Sequence, residues 1–181
     1  MPAKSHILLG VAGSIAAYKA AELVRRFQDR GHTVSVIMTQ AATAYVGPLT
    51  FQALTGRPVA TGGFDDRAPG DFPHIGLARE ADLILIAPCT ANLMAKIAHG
   101  LADDVLTATV LARDVPLVIA PAMNVHMWNN PATQANRATL LTREIDVLDV
   151  GEGSLACGEI GAGRLPDLDV IVQAVESRLA G

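Results

Sequence analysis

Short apolar runs that alternate with helix-patterned segments constrain this chain more than any other feature. Ile7 to Val11, Val34 to Met38, Ala81 to Ala87 and Pro116 to Ala120 are almost free of polar residues, as expected of strands covered on both faces. After the first run, Ala20, Leu23, Val24 and Phe27 fall at i, i+3, i+4 and i+7, one face of a helix, and Gly31 stops it. Pro48 opens a second helix through Leu54, ending at Gly56. Helix is again expected after the third run to about Arg113, broken near Gly100, and at Asn130-Pro131, an N-cap followed by proline at the first helical position. A last strand near Val147 and a terminal helix from about Leu168 complete the pattern. Strands separated by helices imply βαβ units. The expected fold is α/β: a Rossmann-like (flavodoxin-like), doubly wound parallel sheet in three αβα layers, one domain over residues 1–181.

In such sheets ligands bind at the carboxyl ends of the strands. The unusual segments all fall there: Ala12-Gly13-Ser14, Thr39, Pro88 to Asn92 and Pro121 to Asn124. Gly13-Ser14 at a strand-to-helix junction is either a phosphate seat, with backbone N–H groups and a hydroxyl facing the anion, or a plain turn with a helix cap. It lacks G-x-G-x-x-G, and Lys19 does not directly follow a glycine as in a Walker loop, so a mononucleotide phosphate suits it better than a dinucleotide. Thr39, Thr90, Ala91 and Asn92 bring small groups to the same edge or cap helices there. Asn124 can donate its amide to a carboxylate or can cap a turn.

Residues 60 to 73 carry three glycines and two prolines and read as a mobile surface loop. His74 follows at a loop-to-helix boundary, suited to general-base work or to a cap. Arg79, about one turn on, can hold a carboxylate or phosphate or pair with an acid. Asp103-Asp104 reads as helix N-terminal charge. The stretch from Ser154 to Leu168 packs Cys157, three glycines and Arg164 between regular segments, which points to a loop over a ligand with Cys157 as proton donor. The alternative is a surface loop holding a buried cysteine.

Composition narrows the class. At 181 residues, half of them hydrophobic, the chain can bury a core without disulfides. Mean hydropathy is positive, yet no apolar run reaches the roughly 18 residues of a membrane span. A net charge of −4 with scattered Lys and Arg argues against a nucleic-acid surface. Cys89 and Cys157 form no C-x-x-C pair and no metal-ligand pattern, and a reducing cytoplasm is the expected setting.

Five segments in order resemble the flavin-containing cysteine decarboxylases: Gly13-Ser14-Ile15-Ala16-Ala17-Tyr18-Lys19, His74-Ile75, Ala81-Asp82 to Asn92, Pro121-Ala122-Met123-Asn124 with Met127-Trp128, and Leu155-Ala156-Cys157-Gly158. The resemblance runs from about Ile7 to Pro166. It implies FMN, with phosphate and ribityl chain against Gly13, Ser14, Ile15, Thr39, Thr90, Ala91, Asn92, Leu93 and Ala122. It implies a homotrimer, or a homododecamer of trimers, with the flavin between subunits.

The implied chemistry is oxidation of a cysteine side chain to a thioaldehyde with His74 as base, then decarboxylation eased by the thiocarbonyl. Asn124 would hold the carboxylate, and Cys157 would protonate the ene-thiolate. Arg79, Met123, Ser154, Leu155 and Ala156 would complete the substrate side. The implied substrate is 4'-phosphopantothenoylcysteine of coenzyme A synthesis, and the alternative is a ribosomal peptide ending in cysteine. A flavin prenyltransferase shares the expected fold but is not expected to carry both Pro-Ala-Met-Asn and Ala-Cys-Gly. A flavin-binding regulatory subunit is the non-enzymatic alternative, against which His74, Asn124 and Cys157 together argue. The chain departs from the common pattern at Gly76, Glu80, Leu165 and Cys89. No fused synthetase domain is expected within it.

Overall fold

A computed structural model describes residues 4–63, 73–154 and 158–181. The first strand, β1 (His6–Val11), leads through a 3-10 turn (Ile15–Tyr18) into α1 (Lys19–Asp29) and β2 (Thr33–Met38). A second 3-10 turn (Gln40–Ala44), α2 (Pro48–Thr55) and the two-residue β3 (Ala60–Thr61) follow. Beyond them come α3 (Pro73–Glu80), β4 (Leu83–Cys89), α4 (Ala91–His99), α5 (Val105–Leu111) and β5 (Leu117–Pro121). The chain closes with α6 (Val125–Asn129), α7 (Pro131–Thr142), β6 (Asp146–Val147), β7 (Gly151–Ser154), β8 (Ile160–Arg164) and α8 (Leu168–Ala180).

Six strands form one sheet in the order β3-β2-β1-β4-β5-β6, every pairing parallel. The order reverses direction between β1 and β4, which makes the crevice above their carboxyl ends the topological switch point. The doubly wound expectation is met. Alternate residues of each strand enter two separate cores. Ile7, Leu9, Leu83, Leu85 and Val118 pack beneath α1 and α8, whose Leu23, Phe27, Ile171 and Val175 are buried. Leu8, Ile84, Ile86 and Ile119 face α4, α5 and α7 through Met94, Leu106 and Leu140. Each such side chain removed from water contributes roughly 1.5–3 kcal/mol, which is why the runs are so nearly free of polar residues. Gly10 lets α5 approach the sheet: a Cβ there would stand 2.5 Å from Ile86 Cδ1 and 2.8 Å from Leu106 Cδ1.

Local signals set most boundaries. Gly56 and Gly100 end α2 and α4 in the left-handed conformation, at φ of 67° and 68°. Asp104 caps α5 in a reciprocal box, accepting from Thr107 N–H at 2.8 Å while Thr107 Oγ1 accepts from Asp104 N–H at 3.1 Å. The helix-terminal reading of Asp103-Asp104 holds, with Asp103 paired to Lys96 at 2.7 Å.

Three expectations are corrected. Strand β4 runs Leu83–Cys89 rather than Ala81–Ala87, because Ala81 and Asp82 still form the turn out of α3 and the strand continues through Pro88. Residues 60 and 61 pair with β2 as an edge strand and are not loop; residues 64–72 lie outside the described ones. The stretch from Ser154 to Leu168, expected as a loop, contains a strand at Ile160–Arg164. Gly151–Ser154 and Ile160–Arg164 pair antiparallel as a hairpin, while Leu155, Ala156 and Cys157 lie outside the described residues. Glycines at 153 and 163, with φ of 135° and 144°, give this hairpin a backbone that only glycine adopts readily.

Candidate active site

At the carboxyl edge of the sheet the chain leaves four strands through a polar residue that caps the next helical turn. Ser14 Oγ accepts from Ala16 N–H at 3.3 Å after β1, and Thr39 Oγ1 from Ala42 N–H at 3.2 Å after β2. Thr90 Oγ1 accepts from Leu93 N–H at 3.2 Å after β4, and Asn124 Oδ1 from His126 N–H at 2.8 Å after β5. Each bond satisfies an N–H that a helix start leaves without an internal partner. The cap readings of these residues are therefore correct, and the caps align four turns along one edge.

Three of those turns border a cavity of about 470 Å³, within the roughly 300–1,000 Å³ of small-molecule and cofactor sites. Gly13, Ser14, Ile15 and Ala16 form one wall, extended by Tyr18 and Lys19 a helical turn further on. Thr90, Ala122, Met123, Asn124 and Met127 come from the β4 and β5 ends, and Gly163, Arg164 and Leu165 from the hairpin. Gly13 keeps the β1 and β2 turns in contact, since a Cβ on it would lie 2.6 Å from Ala41 Cβ and 2.9 Å from that residue's carbonyl carbon. Thr39 thus shapes the site from behind, through the turn that presses on Gly13. Ala91, Asn92 and Leu93 form the first turn of α4; Leu93 is buried in the core beneath it.

The cavity is cationic. Lys19 and Arg164 line it, and among the described residues no carboxylate does and neither side chain is in an ion pair. A second cavity, about 500 Å³ beside α3, has its guanidinium already met: Arg57 Nη1 lies 3.5 Å from Glu80 Oε2. The first cavity is the better anion site.

Hairpin and β5 end are joined at two points. Met123 N–H donates to the Gly163 carbonyl at 2.9 Å. Asn124 Nδ2 donates to Glu159 Oε2, and His126 Nε2 stands 3.1 Å from Glu159 Oε1.

Not every expected residue meets at this cavity. His74, the second residue of α3, and the exposed Arg79 near its end are absent from the lining. Helix α3 follows the edge strand β3 along the chain and packs on α5. Ser154 ends β7, and nothing of its side chain is described. Cys89 is fully buried, its Sγ donating to the Thr90 carbonyl at 3.6 Å, and burial pushes its thiol far above the usual range. Among the described residues no cluster of His, Cys, Asp or Glu is placed to hold a metal, and no helix is long and apolar enough to cross a membrane.

Lys19, Arg164 and Tyr18 are lining residues that the sequence reading did not assign. Lys19 was findable, because it sits four residues after Ile15 and shares its helix face. Arg164 required the hairpin to be recognised first.

Comparison with known proteins places the site in context. The Flavoprotein family profile matches residues 1–180. The coenzyme A biosynthesis bifunctional protein CoaBC of Vibrio vulnificus is 50% identical over 159 residues, 88% of this chain and 40% of that protein, so the chain spans less than half the length of the first such relatives. A probable phosphopantothenoylcysteine decarboxylase of Streptococcus mutans is 45% identical over 175 residues, 96% of this chain and 98% of its own. Among solved structures, a mutant PPC decarboxylase complexed with pantothenoylaminoethenethiol superposes with a TM-score of 0.87 at 32% identity, covering 99% of this chain and all of that one. The FMN-dependent cysteine decarboxylase SpaF superposes at 0.84 and 35% identity over the full length of both chains. With a family profile spanning nearly every residue, this chain belongs to the Flavoprotein family.

Proposed function

We propose that this chain is an FMN-dependent decarboxylase that converts 4'-phosphopantothenoylcysteine to 4'-phosphopantetheine in coenzyme A synthesis. The observation that carries the reading is the switch-point cavity, with a glycine turn on one wall, Lys19 and Arg164 outside any ion pair among the described residues, and Asn124 on the other wall. Relatives named for this reaction and for FMN-dependent cysteine decarboxylation support it.

The residues fit FMN. The Gly13-Ser14 turn, with Ile15, suits the phosphate, since helix-start N–H groups and a hydroxyl favour an anion. Thr90, which lines the cavity, suits the ribityl chain, with Ala91, Asn92 and Leu93 following it in the first turn of α4 and the Leu93 side chain turned into the core; Ala122 and Met123 suit the apolar ring. Bound there, FMN supplies the two-electron exchange with the substrate's thiol-bearing carbon.

Around it the protein binds and moves protons. Asn124 holds the substrate carboxylate through Nδ2, its Oδ1 being committed to the α6 cap. His74 is the base for oxidation of the cysteine side chain, and Arg79 lies one turn on for an anionic part of the substrate. Both come from a neighbouring copy, in a homotrimer or a dodecamer of trimers with the flavin between subunits. Departure of CO2 leaves its electron pair on the thiocarbonyl, and Cys157 protonates the resulting ene-thiolate. Ser154, Leu155 and Ala156 complete the substrate side. The enzyme works in the cytoplasm.

The test is CO2 release by the flavin-loaded protein from 4'-phosphopantothenoylcysteine, run beside a peptide ending in cysteine. Release from the former alone is expected. Release from the peptide alone overturns the substrate and makes the chain a peptidyl-cysteine decarboxylase.

A further inference from the structure

Asn124 divides its side chain between two tasks. Its Oδ1 accepts from the His126 N–H at 2.8 Å, so outward donation falls to the Nδ2 amino group. That donor already has a carboxylate on it, Glu159 Oε2. Glu159 sits where the chain enters β8, and its other oxygen lies 3.1 Å from His126 Nε2. The Asn124–Glu159 contact is part-buried at the rim of the site, with the Glu159 side chain 40% exposed. A released Glu159 carboxylate is therefore met by water, and a substrate carboxylate that takes its place satisfies the Asn124 amide in turn.

We propose that Glu159 is a built-in occupant of the carboxylate position on Asn124, which a substrate carboxylate must displace, and that this exchange discriminates the carboxylate-bearing substrate from its decarboxylated product. The inference rests on Asn124 as carboxylate holder, as proposed above. Two anionic carboxylates on one amide repel, so occupancy is exclusive. Substrate brings the group that displaces Glu159. Product has lost it, and Glu159 returns to Asn124 as product leaves. Glu159 is thus a specificity-determining residue that takes no part in the chemistry. Because the Met123–Gly163 bond holds the other end of β8 at 2.9 Å, the exchange requires movement of the Glu159 end alone.

The test is calorimetric binding to the flavin-loaded full chain with two inert probes. One is 4'-phosphopantothenoylserine, whose hydroxyl replaces the thiol; the other is the matching ethanolamine amide, which lacks the carboxylate. An occupant that must leave weakens apparent affinity by the fraction of sites it holds. Glu159→Ala is expected to bind the serine probe roughly five- to tenfold tighter and the ethanolamine probe unchanged. Glu159→Gln keeps the side-chain size and an acceptor oxygen without the charge, and is expected to fall between. Unchanged or weaker serine-probe binding in both variants overturns the proposal and makes Glu159 a hairpin prop. Failure of the underlying reading looks different: Asn124→Ala would then leave the preference between the two probes as it is in wild type, and the proposal falls with it.

Discussion

Gly163 and Met123 approach so closely that a Cβ on the glycine would stand 2.4 Å from the Met123 carbonyl oxygen. The same pair shares the hydrogen bond from Met123 N–H to the Gly163 carbonyl at 2.9 Å. The contact sets the hairpin against the segment that presents Asn124, and so fixes one wall of the cavity. Gly163 also has φ of 144°, which a side chain would strain.

Replacing Gly163 by Ala is therefore expected to separate the hairpin from the β5 end. The strain is of order 1–3 kcal/mol, and the loss should appear both as a lower midpoint in urea and as a higher KM. Unchanged stability together with unchanged KM would contradict the contact's role.

Asn124 offers a way to separate capping from binding. Asn124→Asp keeps the oxygen that caps α6 and replaces the outward donor with a carboxylate, whereas Asn124→Ala removes both. The Ala variant should lose about 1 kcal/mol of stability through the cap, and the Asp variant much less. Both should lose roughly 10- to 100-fold in kcat/KM, the value of a hydrogen bond to a charged group. Denaturation curves and steady-state kinetics on the two variants check this.

At the opposite edge of the sheet, His6 Nε2 lies 3.0 Å from Ser35 Oγ and its Nδ1 3.0 Å from Thr33 Oγ1. Burial first, and then the Arg57 guanidinium, hold its imidazole below the usual 6.5, against the opposing pull of Glu80 and Asp82. The unfolded chain then takes up the proton first, so this residue's contribution falls as pH drops below about 6.5. His6→Gln is expected to flatten the stability–pH slope in that window. An unaltered slope would show that His6 is not its source.

Cys89 should behave as a buried apolar side chain. Because its thiol is pushed far up by burial, it is expected to resist alkylation near neutral pH in the folded protein and to react on unfolding. Mass spectrometry after brief iodoacetamide treatment, with and without denaturant, reads this directly. Rapid native labelling at Cys89 would contradict its burial.

Much of the fold was legible because the sheet is covered on both faces: β1, β2, β4 and β5 are almost wholly apolar, and that continuity is visible in the residues, with Ser35 of β2 the buried polar exception, met by His6. Pro48, Gly56, Asn130 and Pro131 mark helix ends by local chemistry alone. The β7–β8 hairpin was hidden because its residues, Gly151, Gly153, Gly161 and Gly163 among them, pair through main chain and close approach rather than through an alternating apolar pattern. Helix α6 and strand β3, five and two residues long, are too short to carry a period. The site divides the same way. Ser14, Thr39, Thr90 and Asn124 could be read from their places after strands, while Arg164 and Glu159 depend on the hairpin. The position of His74 depends on where α3 packs, which no local pattern states.

A redox-neutral decarboxylation at the switch-point cavity leaves the flavin as it began. The most direct measurement is anaerobic incubation of the flavin-loaded protein with 4'-phosphopantothenoylcysteine, following product mass and the flavin spectrum together. The expected result is loss of CO2 alone, giving 4'-phosphopantetheine with the flavin oxidised at the end, and in Cys157→Ser an ene-thiol that has lost CO2 and two hydrogens. Intact substrate over a fully oxidised flavin, or fully reduced product from the Cys157→Ser variant, would contradict it.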